Sequence, residues 1–256
     1  MAGGDREIRV GCAGWSIPKV HADRFPEDGS HLSRYARGLP AVEINSCFYR
    51  PHRPATYARW AAETPDGFAF SLKVPREITH ERRLADAEEP LRRFLDETSA
   101  LGEKRGPLLV QLPPSLRFDA EVAGSFLELL RRLHRGPVAW EPRHRTWFAP
   151  EAEALLVAHE VARVAADPAV VPEASRPGGG GGFTYHRLHG SPEMYHSAYT
   201  PEFLDALAVR LLAEAPQGPV WCIFDNTADF AATADAFTLL DRLDAAPEGG
   251  RARRRG

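Results

Sequence analysis

The chain has 256 residues, with 32 Lys or Arg against 35 Asp or Glu and a net charge of −3. That balance leaves no basic surplus for a nucleic-acid polyanion, so nucleic acid is the less favoured partner. The opening MAGGDREIRV lacks the apolar run of a signal peptide, and no apolar stretch is long enough to cross a bilayer. A soluble, cytoplasmic protein with a small-molecule partner and no membrane contact is expected, its oligomeric state left open.

The elements follow in chain order. The first strand segment is 8–14, with Trp15 just beyond it. A short helix over 30–38 precedes the second strand, 41–48, where Val42 and Ile44 alternate with Glu43 and Asn45; Tyr49 and Arg50 follow. Pro54 suits the first turn of a helix over 54–64. In the third strand, 68–74, Phe70, Leu72 and Val74 alternate with Ser71 and Lys73, and His80 lies on the next loop. A helix over 88–102 places Leu91, Phe94, Leu95 and Leu101 on one stripe. The fourth strand, 107–113, offers Gln111 between Val110 and Leu112. Asp119 caps a helix over 119–134.

The fifth strand, 137–143, offers Glu141 and Arg143 and should end near Pro142, which has no N–H for the ladder. His144 and Trp147 follow, then a helix over 150–159. The sixth strand, 162–167, ends in Asp167. Residues 168–182 then break the pattern with three prolines and the run Gly178 to Gly182, through which no helix forms. They are either a bypass replacing helix six or a lid over the site. The seventh strand, 183–190, ends Arg187-Leu188-His189-Gly190, with Ser191 next. Thr200-Pro201-Glu202 starts a helix over 200–214. The eighth strand, 220–226, ends in Asp225 and Asn226 and leads into a helix over 227–243.

Strands alternating with helices imply a parallel sheet with right-handed crossovers. Buried parallel strands read as continuous apolar runs, and these do so until their last residues. The expected fold is α/β, a closed eight-stranded (β/α)8 TIM-type barrel with helix six shortened or replaced by the Pro/Gly-rich loop. A single domain spans 8–246, between a disordered N-terminus (1–7) and a disordered basic tail (247–256). Cys12, Cys47 and Cys222 all fall in strand segments. An odd count without close spacing argues against a disulfide framework, and buried apolar thiols are preferred to a three-thiolate metal site.

The ordered segments GCAGWS (11–16), VEINSCFYR (42–50), TH (79–80), GPLLVQLPP (106–114), EPRHRTWF (141–148), YHRLHG (185–190) and FDNT (224–227) resemble the YecE-like family, domain of unknown function 72. The resemblance implies a TIM-type barrel and no settled activity. Two positions depart from the family's pattern: Pro142, where a Phe-like residue is usual, and Asp225, where Asn is usual.

Active sites of such barrels lie at the C-terminal ends of the strands, where the polar residues gather. Glu43, Lys73, Glu141, Arg143, Arg187 and His189 are expected to converge on one cavity. The preferred reading is an enzyme acting on an anionic, phosphorylated, sugar-like or nucleotide-like compound. Glu43, Lys73, Glu141, His144 and His189 are the candidate catalytic residues. His189 or His144 would serve as acid–base, oriented by Glu141 or Glu43. Lys73 stands out in an Arg-dominated chain; it is either a group that sheds its proton, as Arg effectively cannot, or simply the slimmer cation. Arg143 and Arg187 would bind the anion, with Gly190, Ser191, Asp225 and Asn226 completing a phosphate site. Trp15, Asn45, Tyr49, Arg50, His80, Gln111, Trp147 and Asp167 are further substrate-binding candidates. No cofactor and no metal ligands are assigned. A divalent metal belongs to the alternative, a metal-dependent phosphodiesterase or nuclease. A second alternative is a non-catalytic barrel that binds a ligand or partner.

Overall fold

The computed structural model describes residues 7–246. Its strands are β1 (Ile8–Ala13), β2 (Ala41–Ile44), β3 (Ala69–Lys73), β4 (Arg105–Gln111), β5 (Val138–Glu141), β6 (Ala162–Arg163), β7 (Ala165–Asp167), β8 (Gly178–Gly179), β9 (Thr184–Leu188) and β10 (Val220–Phe224). They form one sheet in the order β7-β9-β10-β1-β2-β3-β4-β5-β6-β8. Only Val164 separates β6 from β7. The first pairs with β5 and the second with β9, both parallel. Val164 itself donates its N–H to the Trp140 carbonyl at 2.9 Å. The two are halves of one strand, and through it the sheet closes. The ten strands rather than eight come from this split and from the two-residue β8.

β8 explains the glycine run. It pairs antiparallel with β6, Gly179 opposite Ala162 and Gly178 opposite Arg163. A Cβ at Gly179 would collide with the Val161 carbonyl oxygen, and Gly179 has φ +70°, a region open to glycine at little cost. The run therefore sits at the start of strand six, at the end of the barrel away from the polar strand termini. It is a paired seam, not a lid. The helix that would follow strand six is absent, as expected; a single 3₁₀ turn, Pro172–Ser175, stands in its place.

The helices are α1 (His31–Gly38), α2 (Ser46–Tyr49), α3 (Pro54–Glu63), α4 (Glu88–Thr98), α5 (Ala120–Leu133), α6 (Pro150–Ala158), α7 (Pro201–Glu214) and α8 (Ala231–Ala245). Asp119 caps α5 by accepting from the N–H groups of Glu121 and Val122 at 3.1 and 3.0 Å, and Thr200 caps α7. α8 starts four residues later than expected because Phe230 takes a left-handed conformation, φ 65°. β2 ends early because Asn45 turns helical (φ −87°, ψ −20°) and opens α2. Cys47 therefore lies on a helical turn and not in a strand. All three cysteines are buried, and burial pushes the Cys12 and Cys47 thiols up to about 12. Residues 1–6 and 247–256, expected to be disordered, lie outside the described residues. Glu7 belongs to the barrel, its carbonyl accepting from Val220 N–H at 2.9 Å.

The sheet has two apolar faces. The outer one packs on the helices and forms the main core. The inner one is small: Ala41, Ala69, Ala139 and Ala166 surround Tyr185 and Trp221, whose rings stack with centroids 6.2 Å apart. The large rings fit because several of their neighbours are alanine or glycine. A Cβ on Gly106 would lie 2.8 Å from the Trp221 ring. Gly106→Ala should therefore cost about 1–3 kcal/mol through overpacking, read as a lower urea midpoint, and Trp221→Phe in the same chain should recover part of the loss.

Candidate functional site at the barrel mouth

Above the alanine layer the interior becomes charged. Residues of one parity point inward along a strand, so Glu43 on β2, Lys73 on β3, Gln111 on β4, Glu141 on β5 and Arg187 on β9 all enter the barrel. His189 and Asp225 continue β9 and β10 inward. Glu43, Glu141, Arg187 and His189 are fully buried.

Arg187 is the centre. Its Nε lies 3.1 Å from Glu43 Oε2, and its Nη2 lies 2.7 Å from Glu43 Oε1 and 3.0 Å from Asp225 Oδ2. Nη1 reaches Glu141 Oε2 at 3.3 Å. Glu43 is further held by the Tyr185 hydroxyl at 2.9 Å. Glu141 accepts from Gln111 Nε2 at 2.9 Å and from Arg143 Nη1 at 3.0 Å. The His189 ring bridges the carboxylates, Nε2 at 2.9 Å from Glu141 Oε1 and Nδ1 at 3.0 Å from Asp225 Oδ2. A neutral imidazole has one N–H and can donate to only one of them; the imidazolium donates to both.

Burial alone would raise the Glu141 carboxyl. Arg187, His189 and Arg143 outweigh it and hold that group well below the usual range. Asp225 is likewise raised by burial and brought down further by Arg187 and His189. Lys73 shifts the opposite way to its ordinary state: burial, then the neighbouring Arg187 charge, lower its ammonium from 10.5. Its Nζ stands 4.2 Å from the centre of the Phe48 ring. Among the described residues no carboxylate lies within ion-pair distance of it, unlike Arg143 and Arg187.

Several expected site residues lie elsewhere. Arg187 was expected to grip an anion, but it is fully buried and its guanidinium is committed to Glu43, Glu141 and Asp225. Asp167 faces the outer side, accepting from the Tyr199 hydroxyl at 2.9 Å, because strand six turns Val164 and Ala166 inward. The Gly190 N–H donates to the same hydroxyl at 2.9 Å, so it is not free for a phosphate, and Ser191 is exposed. Asn226 also points outward, donating to Asp235 and the Ser197 carbonyl. His144 caps the 3₁₀ turn Arg145–Phe148 by accepting from Thr146 N–H at 3.2 Å. Trp147 is buried against Phe118 and Trp140, its indole N–H on the Leu116 carbonyl, so no substrate stacks on it.

Nearer the rim, Asn45 Nδ2 is 3.5 Å from Asp225, and its buried Oδ1 has no partner among the described residues. His80 stands edge-on to Phe48, beside Lys73. Tyr49 and Arg50 line a separate cleft of about 230 Å³ with Arg76, Glu77 and Arg93. Trp15 packs edge-on against Trp60. The structure adds Tyr195, whose ring stands edge-on to His189 at 5.7 Å from a left-handed backbone, and Met194, whose sulfur meets Arg143 Nη2 at 3.6 Å. Both lie on the β9–α7 loop, where strand parity gives no signal; the signal for Tyr185 was its shared parity with Arg187. Larger clefts, such as one of about 490 Å³ between α4 and α5, lie on the helical flanks, away from this cluster. Among the described residues no group of three or more His, Cys, Asp or Glu is arranged to hold a metal ion.

A family model described as "Protein of unknown function DUF72" matches residues 9–255. The chain belongs to the DUF72 family. It is 33% identical over 106 residues to the UPF0759 protein YecE of Escherichia coli (strain K12), a match covering 41% of this chain and 38% of that protein. It is 27% identical over 152 residues to the UPF0759 protein YunF of Bacillus subtilis (strain 168), covering 56% and 53%. The matches thus span about half or less of the curated relatives' length. Crystal structures of DUF72 family proteins from Enterococcus faecalis and Thermotoga maritima share the fold, with TM-scores of 0.78 and 0.76 at 22% identity. They cover 93% of this chain in each case, and 96% and 99% of those chains.

Removing Arg187 from this DUF72 barrel strands three carboxylates. Arg187→Met should cost about 3–5 kcal/mol in denaturant unfolding, the usual penalty for breaking a buried ion pair. Adding Glu43→Gln should return part of it. The depressed carboxyls also set an acid limit. Their stabilisation is complete above the ordinary values of 4.5 for Glu141 and 3.8 for Asp225, and is lost as pH falls through the lower folded-state values. Glu141→Gln should flatten the fall of the melting temperature below pH 4.5, measured by calorimetry.

Proposed function

We propose that the protein is an enzyme that binds a small anionic, phosphorylated compound of sugar or nucleotide type at the barrel mouth. The observation that carries this reading is Lys73. It is a buried ammonium without a carboxylate partner, set among cations that all have one. The three carboxylates, Glu43, Glu141 and Asp225, are taken up by Arg143, Arg187 and the His189 ring. Lys73, over the Phe48 ring, is left without an ion pair among the described residues. A desolvated ammonium without an ion-pair partner calls for a counter-ion, and an anionic substrate oxygen supplies it.

The roles follow. Lys73 and the partly accessible Arg143 meet the anion. His189, whose ring joins Glu141 and Asp225, is the acid–base group. Arg187 and Glu43 fix the carboxylates and touch no substrate. Ligand binding without turnover would transfer the reading to a binding barrel.

A thermal-shift panel of small sugar phosphates and nucleotides, followed by turnover assays on the hits, tests this. Lys73→Met should weaken binding about 10- to 100-fold, the worth of a hydrogen bond to a charged group. Affinity should also fall as pH rises through a value below 10.5, where the lowered Lys73 ammonium deprotonates. Equal binding by wild type and Lys73→Met would sink the assignment.

A further inference from the structure

A small cavity, of about 130 Å³, opens on the rim between the ends of β1 and β10. Cys12, Ala13, Gly14, Ser16, Thr227 and Thr233 are among its lining residues. Water occupies roughly 30 Å³ in the liquid, so the space suits about four waters, or one tetrahedral oxyanion. No Lys, Arg, Asp or Glu lines it.

Two independent features aim at this space. The first is the N-terminus of α8, 15 residues long, whose N-cap Phe230 provides no capping side chain. Opening N–H groups of a helix have no partner inside it, and they carry the positive end of its dipole. Ala232 N–H is satisfied by the Asn226 carbonyl at 3.0 Å, which leaves Ala231 and Thr233. The second is Thr233. It is only 4% exposed, and among the described residues its hydroxyl makes no hydrogen bond. The side chain is buried but its hydroxyl is not sealed off from the cavity, so a ligand oxygen there can pair with it.

The structure assigns this cavity as an oxyanion subsite, for a terminal phosphate or a comparable tetrahedral group, held by neutral donors: the α8 N–H groups and the hydroxyls of Thr233, Thr227 and Ser16. Gly14, with φ +94° and no atom near a Cβ placed there, keeps one wall open. Its N–H is tied to the Glu43 carbonyl at 2.9 Å, and Thr227 follows Asp225 by two residues, so the subsite borders the charged cluster directly. The inference rests on the reading of the mouth as an anion-binding site, and extends it. The substrate's phosphate would sit between β1 and β10, with its reacting part over Lys73 and His189.

Inorganic phosphate is the probe, with chloride at equal ionic strength as control. Saturating phosphate should raise the wild-type melting temperature by about 2–4 °C. Thr233→Val, nearly isosteric, should lose most of that shift, Thr227→Val part of it, and Thr233→Ser should keep it. A shift preserved in Thr233→Val but lost in Lys73→Met would overturn the subsite and leave the mouth reading standing. A shift lost in Thr233→Val, beside a sugar-phosphate response unaffected by Lys73→Met, would do the reverse. No phosphate response in the wild type overturns the subsite.

Discussion

One guanidinium inside three carboxylates organises this molecule. Arg187 reaches from β9 to Glu43 on β2, to Glu141 on β5 and to Asp225 beyond β10. These contacts tie opposite sides of the barrel across its interior. Desolvating so many charges is expensive, and apolar packing of the same volume is often at least as stable. The arrangement holds because each charge has several partners: Glu141 alone faces Arg187, Arg143, Gln111 and His189. What it provides is a set of charges and dipoles held fixed at the barrel mouth.

The layer beneath makes this possible. Alanines at the inward positions of β2, β3, β5 and β7 leave room for Tyr185 and Trp221, and the Tyr185 hydroxyl then rises to support Glu43. The interior is therefore graded, from small apolar residues to stacked rings, to charge, to the rim. Closure through the divided strand of β6 and β7 keeps that gradation intact although one helix of the usual ring is absent.

The missing helix was legible from the prolines and the glycine run, and the strands and the core of the charged cluster from one further rule. While a backbone is extended, residues two apart share a face; that rule alone found Glu43, Lys73, Glu141 and Arg187. It failed at Asp167 because the phase of strand six was misjudged: Val164 and Ala166 face in. It failed again where strands end. Asn45 is helical, Gly190 has φ +93°, and His144 caps a turn, so none follows the alternation of the strand before it. Trp147 showed its aromatic character but not its burial, which depends on residues far away in sequence. The vacancy beneath α8 was invisible for the same reason: it forms where three separate segments meet.

The scarcity of lysine has a practical consequence. The chain carries only Lys19, Lys73 and Lys104. Lys19 is exposed, and Lys104 Nζ is engaged by the Ala61 and Thr64 carbonyls at 2.7 and 2.5 Å. Isotope-labelled lysine would give a spectrum of three resonances, one fully hydrated, one locked to backbone oxygens and one beside the Phe48 ring current. The last reports directly on the barrel mouth, so the protonation state and occupancy of this interior can be followed in solution by watching a single signal.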